Sequence, residues 1–188
     1  MHVKHFFATA LMVGAVASYS VAQQTDSLSA STGNATTTEQ NAVSNETQTF
    51  MEKAATSGML EVKLGELARE KANAAEVKDF GEQMVTDHSE ANDKLKALAQ
   101  EKSVTLPNAL TAKQQNEVDR LSKLSGDEFD QAYMKLMTKD HKKDIKTFEK
   151  ASKSVTDPAV QDFASQTLPT LKKHLQEAED INQQLRSS

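Results

Sequence analysis

The fold is decided by residues 77–98, VKDFGEQMVTDHSEANDKLKAL. Apolar and small side chains recur here every three or four positions, the spacing that lines one face of an α-helix: Val77, Phe80, Met84, Ala91, Leu95 and Leu98. His88 falls on the same face, four residues after Met84 and three before Ala91. This segment therefore predicts a core helix that carries a titratable imidazole among its buried side chains.

The helical pattern continues on both sides of this segment, and no alternating strand pattern interrupts it. We expect four long helices and one short helix: Thr49 to about Ala72, Val77 to about Lys102, a short helix opened by the capping box of Thr111 and Gln114 and ended by Gly126, Glu128 to about Ser152 with Asp127 as its cap, and Pro158 to about Leu185. This order predicts an all-α protein, a four-helix bundle with one extra short helix between the second and third long helices. The short helix either packs across one end of the bundle or lengthens that connection.

The N-terminal region indicates export. Residues 1–22 have a basic start at Lys4, an apolar run and small residues before a cleavage site after Ala22, which is typical of a secretory signal peptide. The apolar run is shorter than the ~20 residues that a membrane-spanning helix needs. Residues 23–45 consist almost wholly of Ser, Thr, Gln, Asn and Ala and predict a disordered linker, so that residues 46–187 form the folded domain.

Composition excludes several classes of function. The chain has no cysteine, which rules out disulfides and lipoprotein anchoring. Loss of Lys4 with the signal peptide leaves 21 of the 22 basic residues against 27 acidic ones, a net charge of −6 with neutral histidines. Nucleic acid is therefore not expected as a partner.

Three histidines and one glutamate occupy inward positions on four different helices: Glu61, His88, His141 and His174. If the inward face covers about a third of each helix, three histidines reach it by chance in about one case in 27. Three neutral imidazoles and one carboxylate in a bundle core suit a divalent transition metal, with zinc or copper favoured and iron less so. We therefore expect these four residues to bind one metal ion. Such binding should weaken below pH about 6, where imidazoles become protonated.

Five further residues are expected to lie next to this site. The motif Met-x-x-Asp-His occurs twice, once on each of two helices, and supplies four of them; Tyr133, two turns before His141, is the fifth. The motif residues are Met84 with Asp87 and Met137 with Asp140. Methionine more often fills a core than binds a metal, and a plain core role is also the simpler reading of the tyrosine.

Two other interpretations stay open at this point. In the first interpretation, the buried Glu and His residues form a structural hydrogen-bond network. The protein is then an envelope or stress interaction module that binds no metal. In the other, a metal-activated water makes the protein an enzyme, although no substrate is indicated. A di-iron site is not expected, because the Glu-x-x-His motif is missing: residues three positions before the histidines are Val85, Thr138 and Leu171.

The folded region resembles a bacterial family of exported proteins, domain-of-unknown-function family 4142. Four stretches carry the resemblance, and together they span the folded region: GMLEVKLGELA around Glu61, MVTDHSEAN around His88, FDQAYMKLMTKDH ending at His141, and LPTLKKHLQEA around His174. The resemblance implies a ferritin-like bundle without an established activity, often labelled a predicted outer-membrane protein. Because the mature sequence has no spanning helix, we expect a periplasmic or secreted protein, or one attached peripherally to the outer membrane.

Overall fold

The computed structural model describes residues 43–187, which form five helices and no strand. The helices are α1 (Asn45–Lys71), α2 (Ala75–Glu101), α3 (Ala112–Leu121), α4 (Gly126–Ser154) and α5 (Pro158–Ser187). The predicted all-α class, with four long helices and one short helix in a bundle, is confirmed. The predicted signal peptide and residues 23–42 of the predicted linker lie outside the described residues. The last linker residue, Asn45, already begins α1, with Ser44 as the N-cap accepting from the backbone N–H of Thr47.

The four long helices form two antiparallel hairpins, α1 with α2 and α4 with α5, that pack against each other. Side-chain contacts show that α1 also runs antiparallel to α4, and α2 to α5: Ser57 with Asp144, Asn73 with Asp130, Asp87 with His174, and Lys102 with Asp157. The diagonal helices α2 and α4 therefore point in the same direction. A chain that leaves the end of α2 must travel the length of the bundle before it can begin α4.

Residues 102–125, which include α3, make that crossing. Val104 and Leu106 pack at the end of the bundle that contains Phe50, whereas Leu121 is buried at the opposite end beside Phe129. The short helix thus lengthens the connection between the second and third long helices, and the alternative that it packs across one end is wrong. One long crossover is a feature of ferritin-like bundles.

The start of α4 differs from the prediction. Ser125, and not Asp127, is the N-cap residue, and α4 begins at Gly126, whose φ of 60° glycine tolerates. Asp127 is used elsewhere, since its Oδ1 accepts a hydrogen bond from Nδ2 of Asn73, 2.8 Å away at the α1–α2 turn. The short helix also ends earlier than expected, at Leu121. Its predicted capping box at Thr111 is confirmed.

A polar layer divides the core into two hydrophobic clusters, one around Phe129 and one around Phe50. On each long helix the polar residue lies between members of the two clusters: Glu61 between Ala55 and Leu64, His88 between Met84 and Leu95, His141 between Met137 and Ile145, and His174 between Leu171 and Ala178. The candidate site therefore lies near the middle of the bundle. Among residues 43–187, no helix is both long and apolar enough to cross a membrane.

Candidate metal centre

Three imidazoles from three different helices meet in the polar layer. One ring nitrogen from each of His88, His141 and His174 lies within 4.8 Å of the corresponding nitrogens of the other two. All three residues are buried, at 5%, 0% and 0% exposure. The helical phase noted in the sequence thus brings the histidines to one place, where they form a group that could hold a metal ion.

Close packing of α1 against α2 brings Glu61 to this group. A Cβ added at Gly81 would lie 2.7 Å from the Cβ of Ala68 and 2.9 Å from the carbonyl oxygen of Gly65, so the two backbones approach more closely than larger residues allow. Gly65 follows Glu61 by one helical turn. The short α1–α2 distance therefore lets the carboxylate of Glu61 reach across to the ring of His88.

Glu61 lies beside the Nδ1 atoms of two rings. Its Oε2 is 3.0 Å from Nδ1 of His88, and its Oε1 is 3.6 Å from Nδ1 of His141. Burial raises the pKa of Glu61 to about 7, although the neighbouring His141 acts in the opposite direction. Oε1 of Glu61 is buried and has no hydrogen-bond partner. Among the described residues, the group whose ligand atoms converge contains only the three histidines, with Glu61 next to it.

Hydrogen-bond partners assign the tautomers of two rings. Nδ1 of His141 is 3.0 Å from the carbonyl oxygen of Met137, which can only accept, so this nitrogen carries the hydrogen. Nε2 of His174 donates in the same way to Oδ2 of Asp87, 2.8 Å away. In the neutral rings the remaining nitrogens, Nε2 of His141 and Nδ1 of His174, therefore carry lone pairs, and these two atoms face each other at 3.4 Å.

The third ring follows the same pattern. A carboxylate beside Nδ1 of His88 favours a hydrogen on that nitrogen and leaves the lone pair on Nε2. Nε2 of His88 is buried and has no hydrogen-bond partner. Each histidine thus has one ring nitrogen held by a protein acceptor and one ring nitrogen free to bind a cation.

Burial keeps the rings neutral. It lowers the pKa of each of the three histidines to about 4, because a charged imidazolium is poorly solvated in the core. Two facing lone pairs at 3.4 Å repel each other unless a cation lies between them. Two nitrogens bound to one tetrahedral zinc ion at the usual distance of 2.0–2.1 Å lie about 3.3 Å apart, close to the observed spacing.

The structure adds a carboxylate that sequence reasoning missed, Asp144. It is 6% exposed, it accepts a hydrogen bond from Ser57 of α1, and burial raises its pKa to about 7, with the nearby Glu61 adding to the shift. Asp144 follows His141 by three residues, which places both on one face of α4. That spacing was the signal available in the sequence.

The five residues expected next to the site have different surroundings. Asp87 contacts the cluster directly through a hydrogen bond with His174. His174 lies on α5, whereas Asp87 and the adjacent His88 lie on α2. Asp140 has a buried Oδ2 without a hydrogen-bond partner, and burial together with Glu117 raises its pKa to about 6. No direct contact of the Asp140 carboxylate with an imidazole is found within residues 43–187.

The remaining three belong mainly to the hydrophobic core. Tyr133 is fully buried and stacks on Phe129 with ring centroids 5.5 Å apart, and its hydroxyl has no hydrogen-bond partner. Met84 and Met137 are buried in the Phe129 cluster. Met137 touches the site through its backbone, since its carbonyl accepts from His141.

A cleft between α2 and α5 reaches the cluster from the protein surface. It has a volume of about 110 Å³, and both His88 and His174 line it. The imidazole of His88, at 7% exposure of its side chain, forms the part of the cluster that solvent touches. The cluster is thus buried, and its one slightly exposed ring lies at this cleft.

Comparison with solved structures supports the fold. A DUF305 fragment from Deinococcus radiodurans has a TM-score of 0.68 and 13% sequence identity, over 76% of this chain and 99% of that chain. A DUF305 protein from Streptomyces coelicolor, described as a "putative secreted protein", has a TM-score of 0.64 and 11% identity, over 74% of this chain and 93% of that chain. At these identities the likeness shows the fold alone.

Sequence comparison identifies the family. No curated protein matches the chain. The family model described as "Domain of unknown function (DUF4142)" matches residues 32–181, which include the three histidines of the cluster and Glu61. The chain therefore belongs to the DUF4142 family.

Proposed function

We propose that the protein binds one divalent transition metal ion in the bundle core through His88, His141 and His174, and that it does so as an exported protein. The observation that carries this proposal is the pair of facing lone pairs on His141 and His174, 3.4 Å apart in a core that disfavours their protonation. A metal ion between them replaces a repulsive contact by two bonds.

Two carboxylates hold the ligands in position. Asp87 fixes the ring of His174 through its Nε2–H, and Glu61 lies against the Nδ1 side of His88. Pairs of this kind orient a metal-binding imidazole and raise its basicity. Because both oxygens of Glu61 lie near Nδ1 atoms, we assign Glu61 to orienting the rings, in place of the ligand role expected from the sequence.

The donor set favours zinc or copper(II) over iron. Three imidazoles without a thiolate make a nitrogen-rich site, which suits both metals. A di-iron centre instead requires several carboxylates that bridge and surround two ions. Two features argue against such a centre: the Glu-x-x-His motifs are missing, and Glu61 lies against Nδ1 of His88, on the far side of that ring from the proposed metal.

Export to the periplasm, or secretion, is part of the proposal. It is supported by the signal-peptide pattern of residues 1–22 and by the description of the Streptomyces DUF305 protein as a "putative secreted protein". Peripheral attachment to the outer membrane is compatible with both. An exported metal-binding protein without cysteine suits an oxidising compartment, since it contains no thiol to be oxidised.

A structural hydrogen-bond network is the second candidate. Glu61, beside His88 and His141, could balance one proton shared within the cluster, and the polar layer would then serve to fix how the helices align in an interaction module. This network and the metal centre predict different responses to added metal.

Thermal unfolding of protein purified without a His-tag separates the two candidates. With zinc or copper at about 100 times its Kd, one metal site adds about 2.7 kcal/mol to the free energy of unfolding. We expect this rise in wild type and in Met134→Ala, a buried α4 variant outside the cluster, and its loss in His141→Ala. Equal melting temperatures with and without metal in wild type, and no metal retained after purification, would favour the network.

A further inference from the structure

We infer that the bound metal keeps one coordination position open toward the α2–α5 cleft, and that a small anion of a few heavy atoms binds the metal there. This inference rests on the proposed metal site. It assigns a ligand class and a binding position to that site.

The first support is the number and placement of protein ligands. Three histidines fill three positions of a four-coordinate ion, and catalytic-type metal sites leave the fourth position to an external ligand. The carboxylate of Glu61 lies against the Nδ1 atoms of His88 and His141, whereas the nitrogens of these two rings that are available to the metal are the opposite ones. The protein thus offers three ligands directed at the ion, and Glu61 lies on the side of the His88 and His141 rings that faces away from it.

The second support is the cleft itself. Of the three ligands, His88 and His174 line it and His141 does not, which places His141 on the inner side of the metal. The cleft runs between α2 and α5, and its other walls include small and polar side chains such as Ala91 and Thr170. In this inference the external ligand approaches the ion from the cleft, on the side of the two lining rings.

Size and charge define the ligand. A volume of about 110 Å³ is well below the roughly 300–1,000 Å³ of sites for drug-sized molecules, so only a few heavy atoms fit. None of the three neutral imidazoles brings a negative charge into direct contact with the 2+ ion, which favours an anion at the fourth position. Lys94 on the rim is already paired with Glu90 at 2.6 Å, and Asp87 is bound to His174, so the ion itself provides the main attraction.

Azide titration of the copper(II)-loaded protein tests the inference. Azide bound to copper(II) produces a charge-transfer absorption band, which we expect to appear and saturate in wild type. Ala91→Leu fills the cleft and should lower azide affinity by at least about tenfold while the bound copper stays at wild-type level. Ala97→Leu, the same change at an exposed position of α2, should behave as wild type.

The outcomes separate this inference from the proposed function. Copper bound at one ion per chain with no azide band would overturn the open position and leave the metal site standing. An azide band that appears only in Glu61→Gln would also overturn it, because Glu61 would then occupy the fourth position in wild type. Equal azide affinity in Ala91→Leu and Ala97→Leu would place azide outside the cleft and overturn the inference. Absence of bound copper in the same samples would overturn both.

Discussion

Replacing Asp87 with asparagine removes the charge that holds His174 in the tautomer that the proposed metal site requires. The Oδ2 of Asp87 accepts the Nε2–H of His174 at 2.8 Å and so leaves the lone pair on Nδ1, the atom that faces His141. Asparagine keeps an acceptor oxygen but lacks the negative charge that raises the basicity of the ring. Metal affinity should therefore fall although none of the ligands is changed.

The expected size follows from the geometry of this contact. Loss of a carboxylate behind a metal-binding histidine lowers metal affinity by about 10–100-fold, or about 1.4–2.8 kcal/mol. The side chain of Asp87 is 32% exposed, so water partly screens its charge. We therefore expect about tenfold for Asp87→Asn, which can still accept, and about 100-fold for Asp87→Ala, which cannot.

Competition with a chelating dye measures both affinities, and circular dichroism confirms that the variants are folded. Asp79→Asn is the matched control, because it removes the same charge from an exposed position of α2. It should keep wild-type affinity. If Asp87→Ala and Asp79→Asn bind metal equally well, the orientation of His174 by Asp87 does not govern the site and the reasoning fails.

Three further predictions concern packing, turn stability and pH. In urea unfolding, Gly81→Ala should cost about 1–3 kcal/mol, because the new Cβ meets Ala68 and the α1 backbone. Gly58→Ala should change stability by less than about 1 kcal/mol, because the three atoms nearest to its new Cβ all belong to the Asn92 side chain, which can rotate. Asp130→Ala should cost about 1–3 kcal/mol for each of two backbone N–H groups left without an acceptor at the α1–α2 turn, against less than about 0.5 kcal/mol for the exposed Asp127→Ala. Burial lowers the imidazole pKa values to about 4, and in the proposed site a metal would compete with protons for these lone pairs. The melting-temperature difference between metal-loaded and metal-free protein should therefore persist below pH 6 and fade only toward pH 4.

That pH range differs from the threshold of about 6 expected from the sequence. The sequence-based value used the ordinary pKa of histidine, near 6.5. Burial on three helices at once lowers the three pKa values together, and the degree of burial depends on how the helices pack.

Helical periodicity accounts for what could be predicted of the fold and the site. The three- and four-residue spacing of apolar side chains marks each long helix and its buried face, and therefore also places His88, His141 and His174 inward. Periodicity within one helix does not reveal how far neighbouring helices are shifted along each other. The contact of Asp87 with His174, which joins residues 87 positions apart, depends on that shift and could not be predicted.

The path of the long connection between α2 and α4 also could not be predicted from local sequence patterns. Thr111 and Gln114 reveal that a helix begins, but its capping box is the same whether the helix crosses the end of the bundle or runs along its length. The contact between the Gln114 side chain and the carbonyl oxygen of Thr56 shows where it lies. The spacing of Asp144 from His141 was visible in the sequence, but its hydrogen bond with Ser57 depends on how α1 packs against α4 and could not be predicted.

X-ray absorption spectroscopy of the metal-loaded protein tests the central claim most directly. The account predicts one ion per chain with three imidazole nitrogens at about 2.0–2.1 Å, and loss of that signal in His141→Ala. A spectrum with two metal ions close together and mainly oxygen ligands, or one unchanged by His141→Ala, would contradict it.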